Sequence, residues 1–358
     1  MQQSKRVAYL DLMKCLLLFL VIWHHVFYGY RWYLSSTYAY VIPGFFFMSG
    51  LTFRRAKYSN FLEFAKKKAK VLLLPYVIFS VVTWVFWAAL QVFTHSGADI
   101  WPPLLQTLIA QGSGSFFVHN TPLWFIPCLY VMECLYFFID KLPERFNALT
   151  SIACSTVGAW MISGEYSCFF SLLPWSTESA LAAMVFYCAG NILTKHVSLQ
   201  KLETLVLSHR VTTIISACIL TAILLFLGDW NGHVSLGSDT LGKNPFVYYI
   251  NAFTGIYVVT ILCILLCSID VKCTLYNKLH SYNLWFGRHS YDIMATHVPI
   301  KGVLMVAISH VLSIPTREAY GIIPVALAAF ILTCAVCSLL AIAIERTKGY
   351  FAAKTRLQ

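Results

Sequence analysis

The chain is 358 residues long, 59% hydrophobic and only 11% charged, with a formal net charge of +11. A mean hydropathy of +0.69 excludes a soluble domain. The positive charge does not mark nucleic-acid binding, because most of the 26 lysines and arginines fall in loops that would share one side of a membrane.

Apolar runs long enough to cross a hydrocarbon layer of ~30 Å lie at 8–28, 36–53, 71–93, 123–139, 148–163, 179–194, 211–228, 246–267, 285–308 and 321–344. They predict an all-α, polytopic integral membrane protein, with about ten transmembrane helices in one bundle and a single domain over 1–358. Placing Lys5 and Arg6 in the cytoplasm sends the bases of 54–70, Lys141, Arg145, Lys195, Lys201, Arg210 and the 346–356 tail to the same side. The long loop 94–122 carries no lysine or arginine. Both termini are therefore expected to be cytoplasmic, in a multi-pass protein of the inner (plasma) membrane. The first run is too long for a cleaved signal peptide and is expected to remain as a helix. The twelve cysteines lie almost entirely in apolar runs and are read as inert small residues.

The first run contains Asp11, Lys14 and the pair His24 and His25. Ionisable groups at a helix centre cost at least ~2.5 kcal/mol each on insertion scales, so they face a partner or an aqueous cavity. The spacing from Lys14 to His25 returns to within about 20° of the same helix face, roughly 16 Å further along the axis. Asp11 lies one turn below Lys14, which makes the three a single polar stripe, with His24 turned about 100° away. The stripe reads either as an interhelical salt link or as catalytic machinery.

The second run holds Pro43-Gly44-Phe45-Phe46-Phe47-Met48-Ser49-Gly50. Small Ser49 and Gly50 permit close helix approach, and Ser49 is also a candidate site hydroxyl. Lys66, Lys67, Lys68 and Lys70 then lead into Leu74-Pro75-Tyr76. Two readings stand for Lys67 and Lys70: anchoring near anionic headgroups, or an anion clamp at the positive end of the third helix.

The long loop ends in His119-Asn120-Thr121-Pro122-Leu123-Trp124-Phe125. Trp124 is either part of an interfacial aromatic belt or a substrate platform. The helix that follows buries Glu133, for which Lys14 or a histidine is the expected partner. The segment 165–175 is expected to lie in the interface or dip back into the membrane. Nearer the carboxyl end, Arg288 and Asp292 have the i,i+4 spacing of a helical ion pair. Ser290 and His297, seven residues apart, share a face that projects into the bundle.

Together, Tyr9 to Lys14 with ten residues before His25, Phe45 to Gly50, the lysine run before Leu74-Pro75-Tyr76, Leu123-Trp124-Phe125 and Gly287 to His297 form an ordered set over most of the chain. This set resembles acyltransferase family 3 of the membrane O-acyltransferases, most closely its fucose 4-O-acetylase-like branch. A basic residue, ten others and then histidine matches the family signature and selects His25 over His24. Three departures stand out: Lys14 occupies a position where many members carry arginine, Lys67-x-x-Lys70 is displaced relative to Pro75 from the family's paired arginines, and His289 stands where a smaller polar residue such as asparagine is commoner in the branch.

The resemblance implies transfer of an acyl group, commonly acetyl from acetyl-coenzyme A, to a hydroxyl of a surface or secreted glycan. It implies His25 as general base, oriented by Asp11, Glu133 or another carboxylate, and Lys14 against the thioester oxygen as it becomes anionic. Lys67 and Lys70 would hold the coenzyme phosphates. Glu133, Trp124, Ser49, Ser290 and His297 would bind substrate or support the site. A glycan or sugar acceptor and membrane lipid are the expected partners; no metal and no nucleic acid are called for. The rival reading is a polytopic transporter or flippase for a glycan or small substrate, with the buried charges as a relay. A non-catalytic membrane scaffold would account for the helices but not for the stripe.

Overall fold

The computed structural model of the chain describes residues 7–27, 31–93, 97–111, 118–163, 173–238 and 240–356. These residues are helices and connecting loops, with one isolated β-bridge between Ser235 and Thr240. In chain order the helices are α1 (Ala8–Val26), α2 (Arg31–Thr52), α3 (Phe61–Phe93), α4 (Trp101–Ile109), α5 (Phe125–Ile139), α6 (Glu144–Ser163) and α7 (Thr177–Ala182). They continue as α8 (Met184–His196), α9 (Leu199–Ser208), α10 (Arg210–Asn231), α11 (Pro245–Cys267), α12 (Thr274–Arg288), α13 (Ser290–Leu312), α14 (Thr316–Ala319) and α15 (Ile323–Arg356).

Among the described residues, seven helices are long and apolar enough to cross a membrane, namely α1, α3, α5 with its leading turn, α10, α11, α13 and α15. Three expected spans are not in that set, and each has a local reason. The run expected at 36–53 lies in α2, whose Ser35, Ser36, Thr37 and Ser49 dilute its apolar character. The run at 148–163 lies in α6, which carries Asn147, Thr150, Ser151, Ser155 and Thr156. The run at 179–194 is broken at Ala183 into α7 and α8.

Two further boundaries differ from expectation. The span at 285–308 is interrupted at His289, where φ −98° and ψ 18° separate α12 from α13. The third helix starts at Phe61 rather than near 71, because Asn60 caps it: its Oδ1 accepts from the Glu63 backbone N–H at 2.9 Å, while Glu63 accepts from the Ser59 N–H at 2.7 Å. Lys67 therefore lies in the second turn, beyond the reach of the helix dipole's positive end. Of the segment expected at the interface or re-entrant, 165–172 lie outside the described residues.

α1 is the axle of the bundle, packed against α2, α11, α12, α13 and α15. Two glycine contacts set its neighbours. A Cβ at Gly287 would collide with the Asp11 carbonyl, so α12 rides directly on the α1 backbone. Gly50 and Gly190 do the same for α2 and α8, each facing a backbone carbonyl of the other helix, Tyr187 and Phe47. The Gly287 contact brings the α12–α13 break alongside the amino-terminal part of α1, and α13 then runs beside α1 so that His297 meets His25.

Candidate active site

His25, in the last turn of α1, is half-buried and sits where two cavities meet. One, of about 220 Å³, is the more polar of the two and is lined among others by His24, Tyr38, Trp124, His233 and Ser235. The other, of about 170 Å³, is apolar and lined among others by Phe45, Leu72, Trp124, Leu129 and Ser290. His25 is the ionisable side chain that belongs to both linings, and Trp124 stands beside it in both.

The polar chamber is an assembly of rings and hydroxyls. His24 Nε2 lies 2.7 Å from the Thr37 hydroxyl, and its ring stacks on Tyr38 at 3.8 Å and 25°. Tyr38 in turn meets His233 edge-on at 5.9 Å. The wall opposite is a tight loop after α10, closed by reciprocal backbone hydrogen bonds between Ser235 and Thr240. Gly237 in this loop lies against the Trp124 indole, where an added Cβ would come within 2.7 Å of Nε1 and Cε2. Gly237→Ala must therefore displace the indole or the loop that holds Gly237. Turnover is expected to fall by up to about a hundredfold, the scale of an ångström-sized misplacement, with expression retained; unchanged turnover in a steady-state assay would show that the indole position is not critical.

His297 on α13 is the other imidazole at the junction, its ring centroid 5.2 Å from that of His25. Its Nδ1–H donates to the Met294 carbonyl at 2.7 Å, and Nε2 is buried with no hydrogen-bond partner among the described residues. In the neutral ring Nε2 is thus the lone-pair nitrogen. Lys301, one turn further along α13, completes the electrostatic surroundings of His25 with His297 and His24.

The apolar cavity runs from His25 toward the lysine-rich end of α3. Its lining includes Leu72 on α3, whose carbonyl accepts from the Tyr291 hydroxyl at 3.1 Å, and Leu129 on α5. One helical turn beyond each of these, about 6 Å, Lys68 and Glu133 form an ion pair at 2.8 Å. Glu133 Oε1 also accepts from Tyr187 at 3.4 Å, and Oε2 is buried with no partner among the described residues.

Several side chains lie apart from the junction. Lys14 is paired with Asp11 at 4.0 Å and its side chain is 35% exposed, while Asp11 is buried; neither lines either cavity. The stripe is real in direction, but the helical rise of about 16 Å keeps Lys14 away from His25. Glu133 takes Lys68 as its partner, not Lys14 or a histidine. Lys67 is held by Glu63 at 2.6 Å on the surface, and Lys70 is exposed. Ser49 bonds back to the Phe45 carbonyl at 2.9 Å, beside the Gly50 contact. Arg288 and Asp292 do not pair: Asp292 binds Lys348 of α15 at 3.2 Å, and Arg288 donates to the Leu284 carbonyl. Ser290, Trp124 and His297 do gather around His25.

Sequence reasoning did not single out Tyr38, His233 and Ser235, which come from two separated segments and carry no spacing signal. Lys68 was indistinguishable from its neighbours in the lysine run; only the packing of α3 on α5 selects it.

No curated protein and no solved structure matches this chain. A family model described as an acyltransferase domain matches residues 7–342. That span takes in α1 with Lys14 and His25, both cavities and the Lys68–Glu133 pair, in a chain of apolar helices suited to repeated membrane crossing. With nearly its whole length covered, the chain belongs to acyltransferase family 3, and the protein is a membrane acyltransferase.

Proposed function

We propose that the protein moves an acetyl group from acetyl-coenzyme A to a hydroxyl of a cell-surface or secreted glycan, with His25 as general base. The observation that carries this reading is the position of His25 as the imidazole shared by an apolar and a polar cavity. A thioester arm is thin and largely apolar and suits the 170 Å³ cavity; a sugar, with hydroxyls and an apolar ring face, suits a chamber of His24, Tyr38, Trp124, His233 and Ser235. The acceptor oxygen attacks the thioester carbonyl carbon as His25 takes its proton. Collapse of the tetrahedral intermediate breaks the C–S bond, and the imidazolium returns the proton to the leaving thiolate.

Asp11 and Glu133 are paired with Lys14 and Lys68, so the neighbour that limits rotation of His25 is the packed ring of His297, 5.2 Å away. Lys68, one helical turn beyond Leu72 of the apolar cavity's lining, supplies with Lys67 and Lys70 on the same helix positive charge for the coenzyme phosphates. Lys14 and Asp11 then act toward the donor end, not at the reacting carbon.

The direct test gives purified protein in lipid labelled acetyl-coenzyme A with a glycan acceptor. Label is expected in alkali-labile ester on the glycan, with free coenzyme A released in equal amount. Movement of acceptor across the bilayer without release of coenzyme A would instead establish the transporter reading.

A further inference from the structure

A groove of about 670 Å³ lies on the outside of the bundle between α3 and α13, beside the active site but not part of it. The segment from Val118 to Trp124 forms the partition: Val118 and His119 line the groove, Pro122 and Trp124 line the two cavities, and Asn120 ties the segment to α13 through a 2.7 Å hydrogen bond to the Ala295 carbonyl. The walls are Phe86, Leu90, Val303 and Val306, all exposed on the exterior of helices long and apolar enough to cross a membrane. Such walls face lipid, not water.

The floor is a cation. Lys301 lines the groove while only 8% exposed. Its ammonium lies 5.0 Å over the Tyr320 ring, and among the described residues no carboxylate pairs with it. His119, Gln91 and His310 add polar groups along the same groove. Burial lowers the His119 imidazole to about 4, which leaves it neutral and Lys301 as the charge in the floor. A ring face compensates a buried ammonium only in part, whereas an anion in a water-poor setting compensates it well. A soluble anion has no reason to enter between apolar walls; an anion carried on a hydrocarbon chain does.

We propose that this groove holds an anionic membrane phospholipid, its phosphate paired with Lys301 and an acyl chain lying between α3 and α13. Lys301 is one turn from His297, so the bound headgroup sits against the helix that supports His25. The lipid site does not depend on the acyl-transfer reading, because binding is read without any donor.

Native mass spectrometry of the full-length protein, released from vesicles of phosphatidylglycerol mixed with a diacylglycerol of the same chains, tests it. Phosphatidylglycerol is expected to be retained and the diacylglycerol, which lacks phosphate, lost. Lys301→Gln is expected to lower retention about tenfold or more, the scale of one charged hydrogen bond, and Lys301→Arg to preserve it. Inorganic phosphate at millimolar concentration is expected not to compete. Equal retention of the two lipids, displacement by inorganic phosphate, or wild-type retention by a folded Lys301→Gln protein would each overturn the proposal; the first two readouts need no variant. His25→Ala should bind the lipid as the wild type does, so loss of acyl transfer and loss of the lipid site remain separate results.

Discussion

His25→Ala is expected to lower turnover about a thousandfold, within the range that a positioned general base contributes, while the protein still inserts and still binds donor. The argument is topological. His25 is the imidazole that lines both cavities, and among the described residues no carboxylate lines either one to take over the proposed role. His24→Ala provides the internal control. Its ring stacks on Tyr38 and bonds Thr37 on the polar side only, so its loss should raise the KM for the acceptor more than it lowers kcat. Steady-state kinetics with both substrates varied decides the matter: near-normal kcat in His25→Ala, or the larger kcat loss in His24→Ala, would remove His25 from the base's role.

The second large effect concerns stability. Lys68→Ala leaves the Glu133 carboxylate buried between α3, α5 and α8 with only the Tyr187 hydroxyl for support. Breaking a buried pair from one side typically costs about 3 kcal/mol or more, whereas replacing both partners by apolar groups costs far less. Lys68→Ala and Glu133→Ala are each expected to lower the Tm in detergent by several degrees, and Lys68→Met with Glu133→Leu to recover most of it. Strictly additive losses in the thermal-unfolding cycle would show that the pair does not act as a unit. Because Lys68 lies one helical turn beyond the lining of the apolar cavity and is the proposed phosphate partner, the double variant should be stable yet bind donor weakly. Those two properties separate its structural contribution from its contribution to binding.

Legibility was uneven, and along a physical line. The membrane class, the first helix and the polar residues within it follow from local information, insertion cost and helical period; the preference for His25 over His24 rests on the family resemblance and belongs to the proposed function. Lys14 shows where such reasoning stops. It shares a helix face with His25, but a stripe along one helix is not a cluster, and the rise of about 16 Å along the axis keeps the two apart. Glu133 is a costly carboxylate that needs a partner, but the partner is Lys68 and not the expected Lys14 or a histidine, because which helix packs on α5 is not written in any one segment. Asp292 erred in the same way: its i,i+4 neighbour Arg288 was available, yet Lys348 from α15 reached it instead.

What the amino-acid order determined alone is what depends on one helix at a time: which segments are apolar enough for the bilayer, which of them carry ionisable groups, and on which face. The tertiary structure decided which groups meet. Backbone contacts at Gly287, Gly50 and Gly190 fix how α12 sits on α1 and α2 on α8, the packing of α13 beside α1 brings His297 to His25, and that of α3 on α5 brings Lys68 onto Glu133. A shift of one turn, about 5.4 Å, would leave every helix intact and dissolve the site.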